Sequence, residues 1–462
     1  MKNQAERPGF WNGALFGMLA GMASLISFQY ISRILQEPRL TSRVVVSDDE
    51  QHENKVMLAM FIAAENLRTG IRTRYLTRDI DKRVLHAGYR NFRESWARDF
   101  GFASYGLIAI EQFEVVRDTL DAFFWHQKLN GQLPVKLYSM DVVTRFLHSI
   151  FEREQPTSKI LKPKFLSGHG APSLDGQALL IISALNYAIQ SEDRDFLRGN
   201  WHRLVLATKW LQSSRKGPAG TLLYQAPYAD WADSVARQGC ILYTNIVYWK
   251  ALSEMALAAA SLDLNDEAVH YFAEAEGVSR ALNTRLWRPD LGYYATSESL
   301  DNLSSDGNLL AIVWGMAEPD QAESILKVMH EAGMAEPVPT RVVHPSFPMN
   351  LIAIENRLGR LATYHTNSSW LWFGALHVIA LVQTGNMELA GQILDRIIDV
   401  IVRDRQVHEV HGLDGEPLSS IWYKSEAPLT WNAGMVLYAH QVYEKRLHET
   451  GNIPSSSEGA GE

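Results

Sequence analysis

DGQALLIISALNYAI, residues 175–189, is the stretch from which the fold is predicted. Five apolar side chains recur along it at the spacing that places them on one face of an α-helix: Ala178, Leu179, Ile182, Leu185 and Ile189. Residues 193–211 repeat the pattern but carry more charge on the opposite face. An apolar inner helix followed by a more polar outer helix indicates a hairpin that buries one face against its neighbours.

Predicted helices of these two kinds follow one another along most of the chain. We expect helix pairs at 51–68 with 97–112, 245–260 with 266–287, and 306–316 with 321–332, and further helices at 115–129, 368–384, 388–402 and 431–449. No run of alternating residues is long enough to build a sheet, so the class is all-α. Twelve helices in rough pairs predict a closed (α/α)6 toroid of six hairpins. An open solenoid is the alternative, but the chain has no repeated sequence motif.

Near the start of the chain, the segment between Arg7 and Arg33 contains no charged residue. Residues 10–31 are about as long as a membrane span of roughly 20 residues, and an amphipathic or buried helix is the alternative. The arginines that follow this segment would leave the rest of the chain on the cytoplasmic side. We therefore expect an N-terminal segment with a polar connector (1–50), a helical domain (51–449) and a disordered polar tail (450–462).

Composition limits the kinds of ligand. The net charge of -8 is spread along the 462 residues without a basic cluster, so we expect no nucleic-acid partner. The 13 tryptophans and 17 tyrosines suit the faces of sugar rings, although aromatic side chains also fill cores. Cys240 is the single cysteine and no HExxH pattern occurs, so we expect neither a metal nor a cofactor.

Polar and aromatic residues cluster in four places, each near the start of a predicted inner helix. The clusters are SWARDF (95–100), YADWADS (228–234), YHTNSSWLW (364–372) and the stretch 408–434. A helical ring presents the starts of its inner helices and their loops at one end. We therefore expect the four clusters to converge on one ligand site.

Residue chemistry allows two interpretations of each cluster. Arg98 and Asp99 beside Trp96 could bind sugar hydroxyls, or Asp99 could simply interact with the helix dipole. Asp230 and Asp233 flank a tryptophan, a setting in which one carboxyl can be kept protonated, but either could instead cap a helix.

Taken together, WARDF (96–100), ADWADS (229–234), YHTNSSWLW (364–372) and SEAPLTWNAG (425–434) resemble the signature loops of the six-hairpin glycosidases. The resemblance covers roughly residues 55–445 and is strongest to the glycogen-debranching-type amylo-α-glucosidases and the family 63 α-glucosidases. It implies an inverting glycoside hydrolase that cleaves an α-linked glucoside in an oligosaccharide or disaccharide.

The resemblance also implies roles for individual residues. Asp233 corresponds to the general acid and Glu409 to the general base, with Glu426 as the alternative base. The pattern around Glu409 departs from the family at His411, where tyrosine is expected. The residues expected to bind the sugar are Trp96, Arg98, Asp99, Asp230, Trp231, His365, Trp370 and Trp431.

Two other functions use the same ring. A sugar epimerase or isomerase would use paired histidines as bases, and His365, His408 and His411 would then be the residues that matter. A catalytically silent carbohydrate-binding protein would bind sugar without turnover.

Overall fold

The computed structural model describes residues 35–37, 55–151, 153, 155–216, 220–420 and 423–451. The predicted apolar segment 10–31 and residues 452–462 of the predicted tail lie outside these ranges. The helices in the described ranges are α1 (Lys55–Thr69), α2 (Ala97–Ala109), α3 (Phe113–Trp125), α4 (Val142–Ile150), α5 (Leu174–Gln190), α6 (Arg194–Gln212), α7 (Leu242–Ser261), α8 (Asn265–Arg285), α9 (Ser305–Val313), α10 (Pro319–Glu331), α11 (Ile354–Leu358), α12 (Leu371–Gln383), α13 (Met387–Asp404) and α14 (Thr430–Glu449).

An inner layer of helices closes on itself. In the described part of the chain, α2 packs on α5, α5 on α7, α7 on α9, α9 on α12, α12 on α14, and α14 on α2. These helices are apolar almost all round, and in α12 every residue from Leu371 to Val382 is buried. A helix enclosed by neighbours needs no polar face, so the inner members match the apolar stretches of the sequence. The all-α (α/α)6 toroid is confirmed.

The outer layer corrects one predicted pair. Helices α3, α6, α8 and α13 each pack on the inner helix that precedes them, and α10 follows α9 and packs on the strand Tyr293–Tyr294. The helix predicted at 51–68 does not form a hairpin with that at 97–112, because α1 packs mainly on α14 and α13. The first and last helices of the ring therefore form its closing pair.

Short strands lie between the helices and were not predicted. They are β1 (Ile71–Tyr75), β2 (Asp81–Leu85), β3 (Ser95–Trp96), β4 (Lys136–Tyr138), β5 (Lys162–Lys164), β6 (Arg215–Lys216), β7 (Leu222–Leu223), β8 (Trp287–Arg288), β9 (Tyr293–Tyr294), β10 (Leu303–Ser304) and β11 (Val343–His344). Strands β1 and β2 form an antiparallel hairpin with Ile71 opposite Leu85. In the antiparallel sheet β3-β4-β5, Ser95 lies opposite Leu137 and Leu137 opposite Pro163. Strand β3 of this sheet directly precedes α2 and positions Trp96 at the helix start.

The chain divides into two compact units. The smaller contains the described residues among 1–41 and 140–156, including α4, and its Arg153 donates to the carbonyl of Glu37 at 2.9 Å. The larger contains all the other helices. Within the described ranges, none of the helices is both long and apolar enough to cross a bilayer. The same ranges contain no cluster of three or more His, Cys, Asp or Glu side chains that could hold a metal ion.

Two facing glycines bring α2 and α14 together. A Cβ added at Gly106 would lie 2.2 Å from the Cα of Gly434. We expect Gly106→Ala to lower the free energy of unfolding by about 1–3 kcal/mol, because backbone cannot move aside for an added methyl group as a flexible side chain can. Denaturant unfolding measures this. Gly199→Ala is the control, since Gly199 is exposed in α6 with nothing near its added Cβ. An equal effect of both substitutions would contradict the close packing.

Candidate active site

A cavity opens where the inner helices begin, and it brings together all the predicted site residues except Asp230 and Glu426. Its lining is Phe92, Trp96, Arg98, Asp99, Trp231, Asp233, Tyr364, His365, Trp370, Glu409, Leu429 and Trp431. Trp96, Trp370 and Leu429 are the residues immediately before α2, α12 and α14. Convergence of the clusters thus follows from the common direction of the inner helices.

Arg98 is held rigidly at the cavity wall. Its Nε donates to Asp175 Oδ2 at 2.5 Å and its Nη2 to Asp175 Oδ1 at 3.2 Å, so the ion pair is bidentate. Asp175 lies in the first turn of α5 and also accepts from the hydroxyl of Tyr243 at 3.3 Å. Neighbouring Asp99 is half-buried, and burial raises the pKa of its carboxyl to about 7 against the opposing effect of Arg98. Helices α2 and α5 therefore hold the Arg98 cation beside Asp99, a carboxyl that can be protonated near neutral pH.

Asp233 stands at the mouth of the cavity. Its side chain is exposed there, yet the protein atoms packed around it withhold enough water to raise the pKa of its carboxyl to about 6. Arg98 and His169 oppose this shift, while Asp230 and Asp175 reinforce it. A carboxyl with a pKa near neutrality that remains open to a ligand can hold a proton and donate it.

Glu409 is buried but still lines the cavity. The hydroxyls of Tyr364 and Tyr423 both donate to its carboxylate, and the backbone N–H of Glu426 donates to its Oε2 at 3.0 Å. Burial raises the pKa of Glu409 to about 7, although these three donors act in the opposite direction. The carboxylate is therefore fixed in place and can gain or lose a proton near neutral pH.

Glu426 lies outside the cavity lining. Its Oε1 accepts the backbone N–H of Tyr89 at 2.7 Å and that of Arg90, and its Oε2 accepts that of Asn91. Gly88 is closely packed against it, because an added Cβ there would lie 2.7 Å from Cγ of Glu426. This carboxylate organises the loop before β3, and a water molecule has little access to it.

Asp230 likewise lies behind the cavity wall. It accepts from Arg237 Nε at 2.8 Å and from Gln225 Nε2 at 2.7 Å. Arg237 also pairs with Asp306 at 2.7 Å, and Asp306 in turn accepts the indole N–H of Trp231 at 2.6 Å. Instead of reaching the ligand, Asp230 belongs to a buried ionic network that holds Trp231 in the wall.

Aromatic rings complete the cavity around His365. The His365 ring stacks on Trp370 with centroids 5.5 Å apart, and Trp231 meets it edge-on at 4.9 Å. The backbone N–H of Ser234 donates to His365 Nδ1 at 3.4 Å, and the Ser234 hydroxyl lies 2.8 Å from the same nitrogen. Burial lowers the pKa of His365 well below its usual range, so the ring is neutral.

The other two candidate histidines are not cavity residues. His411 Nε2 lies 3.2 Å from Asp404 Oδ2, and burial lowers the pKa of His408 to about 4. An epimerase with paired histidine bases would need two of them at the site, and the cavity contains His365 alone among these three.

Several residues of the site were not predicted. Phe92, Tyr364 and Leu429 line the cavity, and Asp175 and Tyr423 hold Arg98 and Glu409 in place. Tyr364 lies in the cluster 364–372 and Tyr423 in the stretch 408–434, so their positions in the sequence could have indicated a place in the site. Asp175 was not recognisable, because it is separated from Arg98 by 77 positions.

Comparison with known proteins finds one family model that matches part of the chain. Residues 119–336 match the family model described as the bacterial α-L-rhamnosidase six-hairpin glycosidase domain. No curated protein matches the sequence. The match to the family model spans 218 of the 462 residues, just under half of the chain, and that stretch is similar to a six-hairpin glycosidase domain.

Solved structures with similar folds include two kinds of enzyme. A rhamnosidase from Klebsiella oxytoca with rhamnose bound superposes with a TM-score of 0.62 at 14% identity, over 87% of this chain and 66% of its own. This chain thus spans just under two thirds of that rhamnosidase. A family 63 mannosylglycerate hydrolase from Thermus thermophilus in complex with Tris superposes with a TM-score of 0.61 at 13% identity, over 82% of this chain and 99% of its own.

Proposed function

We propose that the protein hydrolyses an α-linked glycoside with inversion at the anomeric carbon, with Asp233 as general acid and Glu409 as general base. One observation carries the proposal. A single cavity contains an exposed carboxyl and a buried, hydrogen-bonded carboxylate, both with pKa values raised towards neutrality, between Arg98 and aromatic walls. Two carboxyl groups of this kind are what glycosidic hydrolysis requires.

Each residue has a distinct part in the reaction. Protonated Asp233 donates to the glycosidic oxygen as the bond to the leaving group breaks. Ionised Glu409 accepts a proton from the water that attacks the opposite side of the sugar. Arg98 and Asp99 bind hydroxyls of the terminal sugar ring, and the tryptophans pack against its faces.

The choice of Glu409 over Glu426 is supported by their positions relative to the cavity. Three backbone N–H groups already use the carboxylate of Glu426. Glu409 also accepts three hydrogen bonds, but it lines the cavity, whereas Glu426 does not. A base must reach its water, so Glu409 is the better candidate.

We propose an α-D-glucoside as substrate and consider an α-L-rhamnoside second, because the matching family model is that of a rhamnosidase domain. The test is a panel of α-linked disaccharides and p-nitrophenyl glycosides, with the anomer released read by proton NMR at early times. Release of β-glucose from an α-glucoside is the expected result, and release of the α-anomer would contradict inversion. Incorporation of deuterium at a sugar carbon without hydrolysis would indicate an epimerase instead.

The two carboxyls predict a narrow pH optimum. Asp233 must be protonated, so kcat/KM falls as pH rises through its pKa of about 6. Glu409 must be ionised, so kcat/KM falls as pH drops through its pKa of about 7. We expect a bell-shaped profile with its maximum between about pH 6 and 7. The two apparent pKa values of this profile describe the carboxyl pair together and are not assigned to single residues. A flat profile between pH 5 and 8 would contradict both roles.

We infer in addition that residues 10–31 attach the enzyme to a membrane with the hydrolase in the cytoplasm. The support is the uncharged stretch between Arg7 and Arg33 and the arginines that follow it. Recovery of the full chain from cells in the soluble fraction, without detergent, would contradict this.

A further inference from the structure

A second chain segment lies directly beside Asp233 at the mouth of the cavity. The backbone N–H of Ala353 donates to the carbonyl of Ser234 at 2.8 Å, and that of Ala236 donates to the carbonyl of Leu351 at 2.7 Å. Val235 and Ile352 form an antiparallel bridge. The start of α11 is thus tied by backbone hydrogen bonds to the residues that follow the proposed acid.

This segment reaches a stacked pair of aromatic rings, those of His169 and Tyr228. Glu355, two positions beyond Ala353, lies 3.5 Å from Nε2 of His169. The His169 ring stacks on the Tyr228 ring with centroids 4.5 Å apart and planes inclined by 28°. His169 is exposed and Tyr228 is half-buried, so the ring pair is open to a ligand.

Tyr228 holds an unusual backbone conformation. Its φ is +59°, a left-handed value that costs a residue with a Cβ roughly 1–2 kcal/mol. Such conformations persist where the surrounding structure imposes them, and they concentrate at functional sites. Tyr228 lies five positions before Asp233, and the residue in this left-handed conformation is the one whose ring stacks on His169.

We propose that His169, Tyr228 and Glu355 form the leaving-group subsite, and that the leaving group is a second sugar ring. This rests on the proposed function, because an acid that protonates the glycosidic oxygen must have the leaving group next to it. The stacked rings provide an aromatic surface for the apolar face of a sugar, and the imidazole and carboxylate provide partners for its hydroxyls. The subsite lies outside the cavity that receives the terminal sugar, whose lining includes none of these three residues.

The experiment compares two substrates that differ in their leaving groups. α-D-Glucosyl fluoride has no second ring, whereas the α-glucosyl disaccharide that the wild-type chain hydrolyses fastest has one. We expect Tyr228→Asn to lower kcat/KM for the disaccharide about tenfold and to change that for the fluoride less than twofold. Asparagine removes the ring but tolerates a positive φ, so the backbone is preserved. His202→Ala, an exposed histidine of α6, is the control and should affect neither substrate.

A readout without turnover separates this inference from the proposed function. In the Asp233→Asn background, isothermal titration should show tighter binding of the disaccharide than of glucose, and Tyr228→Asn should abolish that difference. Equal losses on fluoride and disaccharide, or an unchanged affinity difference, would overturn the subsite. Failure of the wild-type chain to cleave glucosyl fluoride would overturn the proposed function, while the titration would still decide the subsite. A preference for a glycosyl glycerate over every disaccharide would overturn the assignment of a sugar leaving group.

Discussion

Replacing Asp233 by asparagine is expected to lower kcat/KM for an α-glucosyl disaccharide by about 10²–10⁴-fold, the usual contribution of a general acid. A sugar alkoxide is a poor leaving group and needs a proton as the bond breaks, and the amide cannot supply one. Fluoride leaves with little protonation, so hydrolysis of α-D-glucosyl fluoride should fall far less. The contrast between the two substrates identifies the acid, and a stopped assay of glucose release measures it.

The same variant should change the pH profile. Without the Asp233 proton, the loss of activity on the high-pH side of the optimum should disappear from the disaccharide profile, and the loss at low pH should remain. Asp290→Asn, at an exposed position in the turn between β8 and β9, is the matched control and should leave both substrates unaffected. Undiminished hydrolysis of the disaccharide by Asp233→Asn would remove Asp233 from the role of acid.

Replacing Glu409 by glutamine should have the opposite pattern, with a loss of about 10²–10⁴-fold on both substrates. The attacking water must lose a proton whichever group departs, so a better leaving group gives no relief. Glutamine has nearly the same shape and can still accept one hydrogen bond from Tyr364 or Tyr423, so the cavity should persist. Glucose release from the fluoride and from the disaccharide, measured on the same preparations, gives the loss of kcat/KM on each substrate.

Two comparison variants make the base assignment falsifiable. Glu416→Gln changes an exposed carboxylate seven positions further along and should behave as wild type. Glu426→Gln removes half of a buried acceptor for three backbone N–H groups, so it should lower the melting temperature. If the variant at 426 were folded and inactive on both substrates while that at 409 kept its activity, the base would be Glu426.

The sequence alone was sufficient for the helices because their signal is local. The stripe in residues 175–189 became α5, whose observed bounds, Leu174–Gln190, differ by one residue at each end. Ring closure was not local. Residues early and late in the chain meet there, as when the side chain of Asn66 accepts the N–H of Val407 at 2.7 Å, 341 positions away. Neighbouring helices in the chain were therefore paired wrongly at the N-terminal end.

The carboxylates show the same limit at the site. Glu409 and Glu426 look alike as loop glutamates near aromatics, and Asp230 and Asp233 lie three positions apart around one tryptophan. In each pair, one residue lines the cavity and the other lies outside its lining: Glu426 accepts the N–H groups of residues 89–91, and Asp230 pairs with Arg237. Family resemblance favoured Asp233 and Glu409. Only the folded chain shows the hydrogen-bond partners of Asp230 and Glu426.

What the sequence determined by itself was the class, an all-α ring with polar and aromatic clusters near the starts of its inner helices, because hydrophobic period and motif order are properties of neighbouring residues. What only the tertiary structure decided was which carboxylates line the cavity. A carboxyl group's availability depends on the hydrogen-bond donors and the burial around it. The donor to the carboxylate of Asp175 is Arg98, 77 positions away, and the donors to Glu426 lie more than 330 positions away. They are brought within 3 Å only when the ring closes.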